Sequence, residues 1–166
     1  KNNIIAIDSR FISERVSQLS NWDIKYFQGH ILDENFLKKH LFDADIVHHL
    51  AGVTDVAYVK KESSKELDEK IRSIAIDGTN NILKTIPNKC KIIFPSTHVV
   101  FEGFNETKTK IVENEKPKPI LMYSTSKVQN EVDIRNSNKK HVILRLGSVY
   151  GYSSDTMRIN IMPNLF

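Results

Sequence analysis

Five short apolar runs, at residues 4–7, 24–27, 46–50, 92–94 and 142–146, punctuate the chain and leave room between them for helices. They stop at Asp8, before Gly29, before Ala51 and Gly52, before Pro95 and before Gly147. Short hydrophobic runs recurring in this way predict strands of a sheet buried on both faces. Between them, residues 13–19 and 34–41 read as short helices. A middle segment carries Leu67, Ile71, Ile74, Ile82 and Ile86 as a broad apolar stripe limited by Pro87. Residues 124–135 form a further predicted helix, with Val128 and Val132 one turn apart and polar neighbours left for solvent. Strands alternating with helices predict an α/β fold with a mainly parallel sheet flanked by helices.

At 166 residues the chain fits one domain, residues 1–166, without repeat, linker or low-complexity tail. Its 24 basic and 20 acidic residues are interspersed, so the formal charge of +4 describes a mixed solvated surface. Trp22, Tyr26 and Phe27 fit packing around a strand as well as stacking on bases, and Lys60, Lys61 and Lys65 make no continuous groove. No nucleic-acid partner is therefore expected. Cys90 is the only cysteine, which excludes an internal disulfide and fits a reducing compartment. No apolar run is long enough for a membrane span and no secretory signal opens the sequence, so a cytoplasmic protein without a membrane partner is expected. His48 and His49 are adjacent in a strand and point to opposite faces, so no metal site is expected. The opening strand and the apolar end NIMPNLF fit either a complete protein or a fragment of a longer one.

In an open parallel sheet, ligands gather beyond the carboxyl ends of the strands. Asp8, Ala51–Gly52, Ser96–Thr97 and Gly147–Ser148 all follow strands, so the fold can bring them to one edge. Asp8 has the chemistry to accept hydrogen bonds from a ribose diol, or it simply ends a strand in water. The stretch MYSTSK places Tyr123 and Lys127 four residues apart, on one helical face. There a lysine ammonium can favour the tyrosinate, Tyr123 can exchange a proton with a substrate hydroxyl or carbonyl as hydride moves, and Thr97 can orient that oxygen. A polar helix start and a solvent-facing threonine are the plain alternative. The polar segment 102–119 reads as a surface loop or as a loop on the substrate side.

The ordered series IIAID, QGHILD, HHLAG, DGTNNIL, IIFPSTHVVFEG, YSTSKVQNE and ILRLGSVYG resembles the nucleotide-binding part of the extended short-chain dehydrogenase/reductase family, in particular nucleotide-sugar epimerases and dehydratases. The resemblance runs from Ile4 to Phe166 and implies a partial NAD(P)-binding, Rossmann-like domain. It implies that Asp8 binds the cofactor ribose and that Leu50, Ala51 and Gly52 border the cofactor. It further implies that Thr97, Tyr123 and Lys127 are the catalytic set, with Thr97 and Tyr123 touching substrate and Tyr123 and Lys127 touching cofactor. Ser148 and His98 are weaker substrate candidates, and His98 fits a loop or packing role better. Ser96 lies beside the set, and Glu131 matches a commonly acidic helix position without a catalytic role.

The family's first strand and its glycine-rich phosphate loop would precede residue 1. His30, Ala75 and Ser148 stand where relatives often carry Asp, Asn and Asn. His98 and Val99 replace the Asp–Glu pair of the 4,6-dehydratases, which argues against that elimination. The expectation is an NAD-dependent nucleotide-sugar epimerase or related oxidoreductase working by transient hydride transfer on a UDP-, GDP- or dTDP-linked sugar, with a homodimer as the assembly. Asp8 would repel a ribose phosphate and favours NAD, while Arg10 offsets it and keeps NADP open. The alternatives are an NADP-dependent carbonyl or sugar reductase and a non-catalytic nucleotide-binding or assembly protein.

Overall fold

A computed structural model describes residues 2–53, 65–106 and 110–149. Lys60, Lys61, the Tyr150–Gly151 end of the GSVYG run and the apolar segment at the end of the chain lie outside the described residues. The strands are β1 (Ile5–Asp8), β2 (Lys25–Gln28), β3 (Ile46–His48), β4 (Lys91–Thr97) and β5 (Lys140–Leu146). They alternate with α1 (Ser13–Asn21), α2 (Glu34–Leu41), α3 (Lys65–Arg72), α4 (Gly78–Thr85) and α5 (Met122–Asn136). This is the expected mixed α/β architecture with every strand pair parallel.

The strands fall into two hydrogen-bonded sets rather than one sheet: β1 with β2, and β3–β4–β5 in that order. Cover on both faces is also incomplete. Ile143 packs against the core, but Val142, Leu144 and Leu146 on the other face of β5 are 39%, 41% and 39% exposed. An apolar run encodes the capacity to be buried twice; burial itself needs a layer on each side.

Pro95 was expected to end its strand, yet β4 continues through it to Thr97. Successive residues of a parallel strand bond to opposite neighbours. Lys91 donates to Asp45 and Ile93 accepts from His49, so the alternate position Pro95 also faces β3. β3 ends at His48, opposite Ile93. The missing N–H of Pro95 therefore breaks no ladder bond.

The apolar stripe of the middle segment is divided between α3 and α4 by a π-helical turn, Ser73–Asp77. The wider turn rotates the helix face, so Ile71, Ile82 and Ile86 are buried while Leu67 and Ile74 are only partly so. Asp33 caps α2 by accepting from the Phe36 N–H at 2.9 Å. The core lies between β4 and the helices: Ile92 and Phe94 pack with Ile31, Leu37, Ile82, Ile86 and Ile134. In α5 the expected faces are exchanged. Val132 is 42% exposed, whereas Ser124, Ser126, Asn130 and Glu131 are buried beside Ile134. Hydrogen bonds to β4, β5 and a loop account for much of this polar burial. Among the described residues no helix is long and apolar enough to cross a membrane.

Gly78 opens α4 where a Cβ would stand 2.8 Å from Ile31 Cγ2. Alanine gains about 1 kcal/mol of helix propensity, but crowding a packed core costs roughly 1–3 kcal/mol. Gly78→Ala is therefore expected to lower the urea midpoint. Gly147→Ala, whose Cβ would meet nothing within 4 Å, serves as the control and leaves the midpoint in place.

Candidate functional site

Tyr123 lies in the first turn of α5, and Lys127 follows one turn later on the same face. The Lys127 ammonium donates to the Pro95 carbonyl at 2.8 Å, 4.5 Å from the centroid of the Phe94 ring and 5.9 Å from that of Tyr123. Burial lowers its pKa to about 8, against the opposing pull of the Glu131 carboxylate. An ammonium has three donors, so the Pro95 bond leaves two for other partners in the cleft. That cleft is bordered by Leu50, Ala51 and Gly52 after β3, by Ala75 of the π turn, and by Tyr123 and Lys127.

Thr97 ends β4 and is 7% exposed. Its oxygen accepts from the Val99 N–H at 3.2 Å, capping a short 3-10 helix, His98–Phe101. The Thr97 hydroxyl proton is not used in that bond. His98 is exposed, with Nδ1 3.1 Å from the Leu146 carbonyl oxygen, and this contact ties its loop to the end of β5. Ser96 points to the opposite face of β4, where it is buried and donates to Glu131 at 2.6 Å. Neither Ser96 nor Thr97 is among the residues that line the cleft.

Asp8 stands apart, at the carboxyl end of β1 in the other sheet. Its exposed carboxylate accepts from the Arg10 N–H at 2.9 Å, with the Arg10 guanidinium at 3.8 Å. Arg15 and Tyr26 line the same hollow. This is the acceptor chemistry that a ribose diol requires, with cationic side chains close by. Ser148 is exposed beyond β5 and does not border the cleft. His30 is an exposed turn residue whose Nδ1 accepts from the Leu32 N–H at 3.2 Å.

Sequence reasoning overlooked the support around these residues. Glu102 Oε1 accepts from the N–H groups of Ile120 and Leu121, both at 2.7 Å, and from the Ser124 hydroxyl. It thereby fixes the start of α5, where the helix dipole also favours a carboxylate. Glu131, one turn beyond Lys127, is gripped by Arg145 of β5. Burial works to raise its pKa, but the bonds from Arg145 and Ser96 prevail and hold it below the usual carboxylate range. A charged residue that follows Tyr123 and Lys127 at the same spacing was the available signal.

His49 is 2% exposed, the inward member of its pair, while His48 faces outward. Thr79 donates its hydroxyl proton to the Ala75 carbonyl at 2.6 Å, so its oxygen accepts from His49 Nε2 at 2.8 Å. Nδ1 is then a bare acceptor with no partner among the described residues. Burial, aided by the Lys127 charge, lowers the imidazole pKa to about 4. Ser126 Oγ and Asn130 Oδ1 likewise have no partner among the described residues, and both residues border the cleft. Among those residues no group of His, Cys, Asp and Glu is placed to hold a metal ion.

Residues 9–165 match the family of the RmlD substrate binding domain. The chain is 36% identical over 118 residues to the probable low-salt glycan biosynthesis reductase Agl14 of Haloferax volcanii, covering 69% of this chain and 36% of that protein. A mutant UDP-glucuronic acid 4-epimerase from Bacillus cereus, solved with UDP-4-deoxy-4-fluoro-glucuronic acid and NAD, is 25% identical with a TM-score of 0.77, covering 98% of this chain and 52% of the epimerase. DesIV, a dTDP-glucose 4,6-dehydratase from Streptomyces venezuelae with NAD bound, shares the fold at 16% identity and a TM-score of 0.73, over 98% of this chain and 51% of its own. The chain thus spans about a third of the curated reductase and about half of each of these solved structures.

His49 sets an acid limit on stability. Its pKa falls from 6.5 to about 4 on folding, so the unfolded chain takes up the proton first as pH drops. The stabilisation is fully present above pH 6.5 and is lost on the way down to about 4, at most roughly 3 kcal/mol. Urea midpoints taken stepwise across this window should fall more steeply for the native protein than for His49→Gln, and equal slopes would refute the assignment.

Proposed function

This chain belongs to the RmlD substrate binding domain family, and on that premise we propose that it carries the cofactor side of an enzyme that moves hydride between a nicotinamide and a carbon of a nucleotide-linked sugar. The observation that carries the reading is the Tyr123–Lys127 face of α5, with the ammonium held at the Pro95 carbonyl, 5.9 Å from the phenol ring. Tyr123 donates a proton to the sugar oxygen when a carbonyl is reduced and takes it back when a hydroxyl is oxidised. Lys127 favours the tyrosinate electrostatically and offers its remaining protons to a ribose hydroxyl. Thr97, its oxygen engaged by the Val99 N–H, turns its hydroxyl proton toward the reacting oxygen.

The residues present suit a dinucleotide. Asp8 offers a carboxylate to the adenine-side ribose. At Gly52 a Cβ would meet nothing within 4 Å, leaving an open approach beside Leu50 and Ala51. When bound, the nicotinamide supplies and accepts the hydride. NAD is favoured, because Asp8 would repel a phosphate on that ribose. Arg10, 3.8 Å from the same carboxylate, supports NADP as the second option. Measured at identical salt, the dissociation constant for NAD should be lower than that for NADP; the reverse order would transfer the assignment.

Net reduction of a keto-sugar is favoured by the relative at 36% identity, a glycan biosynthesis reductase. Epimerisation is favoured by the UDP-glucuronic acid 4-epimerase at 25% identity. A reductase consumes one reduced cofactor per product, whereas an epimerase leaves the cofactor pool unchanged. In the complete protein Tyr123→Phe should reduce turnover by about 10²-fold or more while cofactor binding persists. Unchanged turnover would overturn the assignment.

A further inference from the structure

Tyr123, Lys127 and Glu131 follow one another at single-turn intervals on α5, but the proton chemistry above uses only the first two. Glu131 is 1% exposed and all its hydrogen-bonding partners are identifiable. Oε1 accepts from Ser96 Oγ at 2.6 Å and Arg145 Nε at 3.0 Å; Oε2 accepts from Arg145 Nη2 at 2.7 Å and Arg135 Nη2 at 3.4 Å. Arg145 also donates to the Glu113 carbonyl at 3.2 Å and lies 5.2 Å from the centroid of Phe101. A paired, buried carboxylate of this kind is rarely the most stable choice, since apolar residues of similar volume often do as well or better. Its position beside Lys127 suggests another use.

We propose that Glu131 is a positioning residue for Lys127, its carboxylate locked by Arg145 and Ser96 so that it keeps the neighbouring ammonium charged and the end of β4 in register with α5. The role in chemistry rests on the reading of Lys127 given above. Two attachments join α5 to consecutive residues of β4: Lys127 to the Pro95 carbonyl, and Ser96 to Glu131. Thr97 is the next residue of that strand. The groups facing Lys127 are Tyr123 and Glu131 from α5, the Pro95 carbonyl and Phe94 ring from β4, and the buried His49 after β3. Among the described residues Glu131 is the acidic group that acts on the ammonium, and it opposes the loss of charge caused by burial.

The test follows the titration of Lys127 in the complete protein by competitive acetylation with acetic anhydride across pH, read by peptide mass spectrometry without substrate or cofactor. Glu131→Gln should move the midpoint down by about one pH unit, a tenfold smaller charged-to-neutral ratio at a given pH. That variant leaves the Arg145 charge without its partner and can fail to fold. The double variant Glu131→Gln, Arg145→Met removes both charges and should lower the midpoint by less. An unchanged Lys127 midpoint in the folded double variant would overturn the proposal, whatever happens to the single one. Because no turnover is read, failure of the hydride-transfer assignment would show in Tyr123→Phe and leave this result standing.

Discussion

The position of the site depends on how α5 is fastened to the last residues of β4. β3 gives out opposite Ile93, so from Pro95 onward that edge of β4 has no strand beside it among the described residues. A proline needs no donor partner there, but its carbonyl still requires one in a buried setting. The Lys127 ammonium takes the place of the missing strand at 2.8 Å. One residue later, on the other side of the strand, Ser96 reaches Glu131. Together with Glu102, which holds the amides at the start of α5, these bonds set the register of α5 against β4. All of them are hydrogen bonds, so the joint is specified by direction as well as by volume.

The alternation of strand and helix was legible because it depends on local patterns. The run at residues 92–94 and the Asp33 cap that opens α2 encode their own conformations. What escaped was set by neighbours. Pro95 reads as a stop in isolation and is tolerated because of where β3 ends. Val128 and Val132 read as the inner face of α5, but Val132 is exposed and the inward side carries Lys127 and Glu131, which meet the Pro95 carbonyl, Ser96 and Arg145. The π turn at Ser73–Asp77 has no clear local signature, yet it shifts the stripe that begins at Ile71.

A similar divide runs through the site. Spacing alone places Tyr123 and Lys127 on one face, and strand ends place Leu50, Ala51 and Gly52 beside them. Asp8 was read correctly as a strand-ending acid, but its strand belongs to the other sheet, and no local pattern reports how two sheets divide. Ser96 and Thr97 look equivalent in sequence; alternation along the strand sends one to Glu131 and turns the other to the opposite face, outside the lining of the cleft. The inward histidine required tertiary information, because only the packing of Thr79 and Phe94 against it selects His49 over His48.

The distribution of unfavourable terms gives a separate argument for function. Among the described residues the buried polar side-chain atoms without partners are His49 Nδ1, Ser126 Oγ and Asn130 Oδ1. Two of these residues border the cleft with Lys127, and the third feels its charge. Each unpartnered group costs about 1–3 kcal/mol, and Lys127 itself gives up part of its affinity for a proton to be buried. The apolar core behind Ile92, Phe94 and Ile134 carries no comparable penalty. Stability selected for its own sake would place small apolar residues at these positions. Ser126 and Asn130 lie on α5 with Tyr123, Lys127 and Glu131, and His49 approaches from the end of β3, so polarity held at this cost is what the proposed chemistry would require.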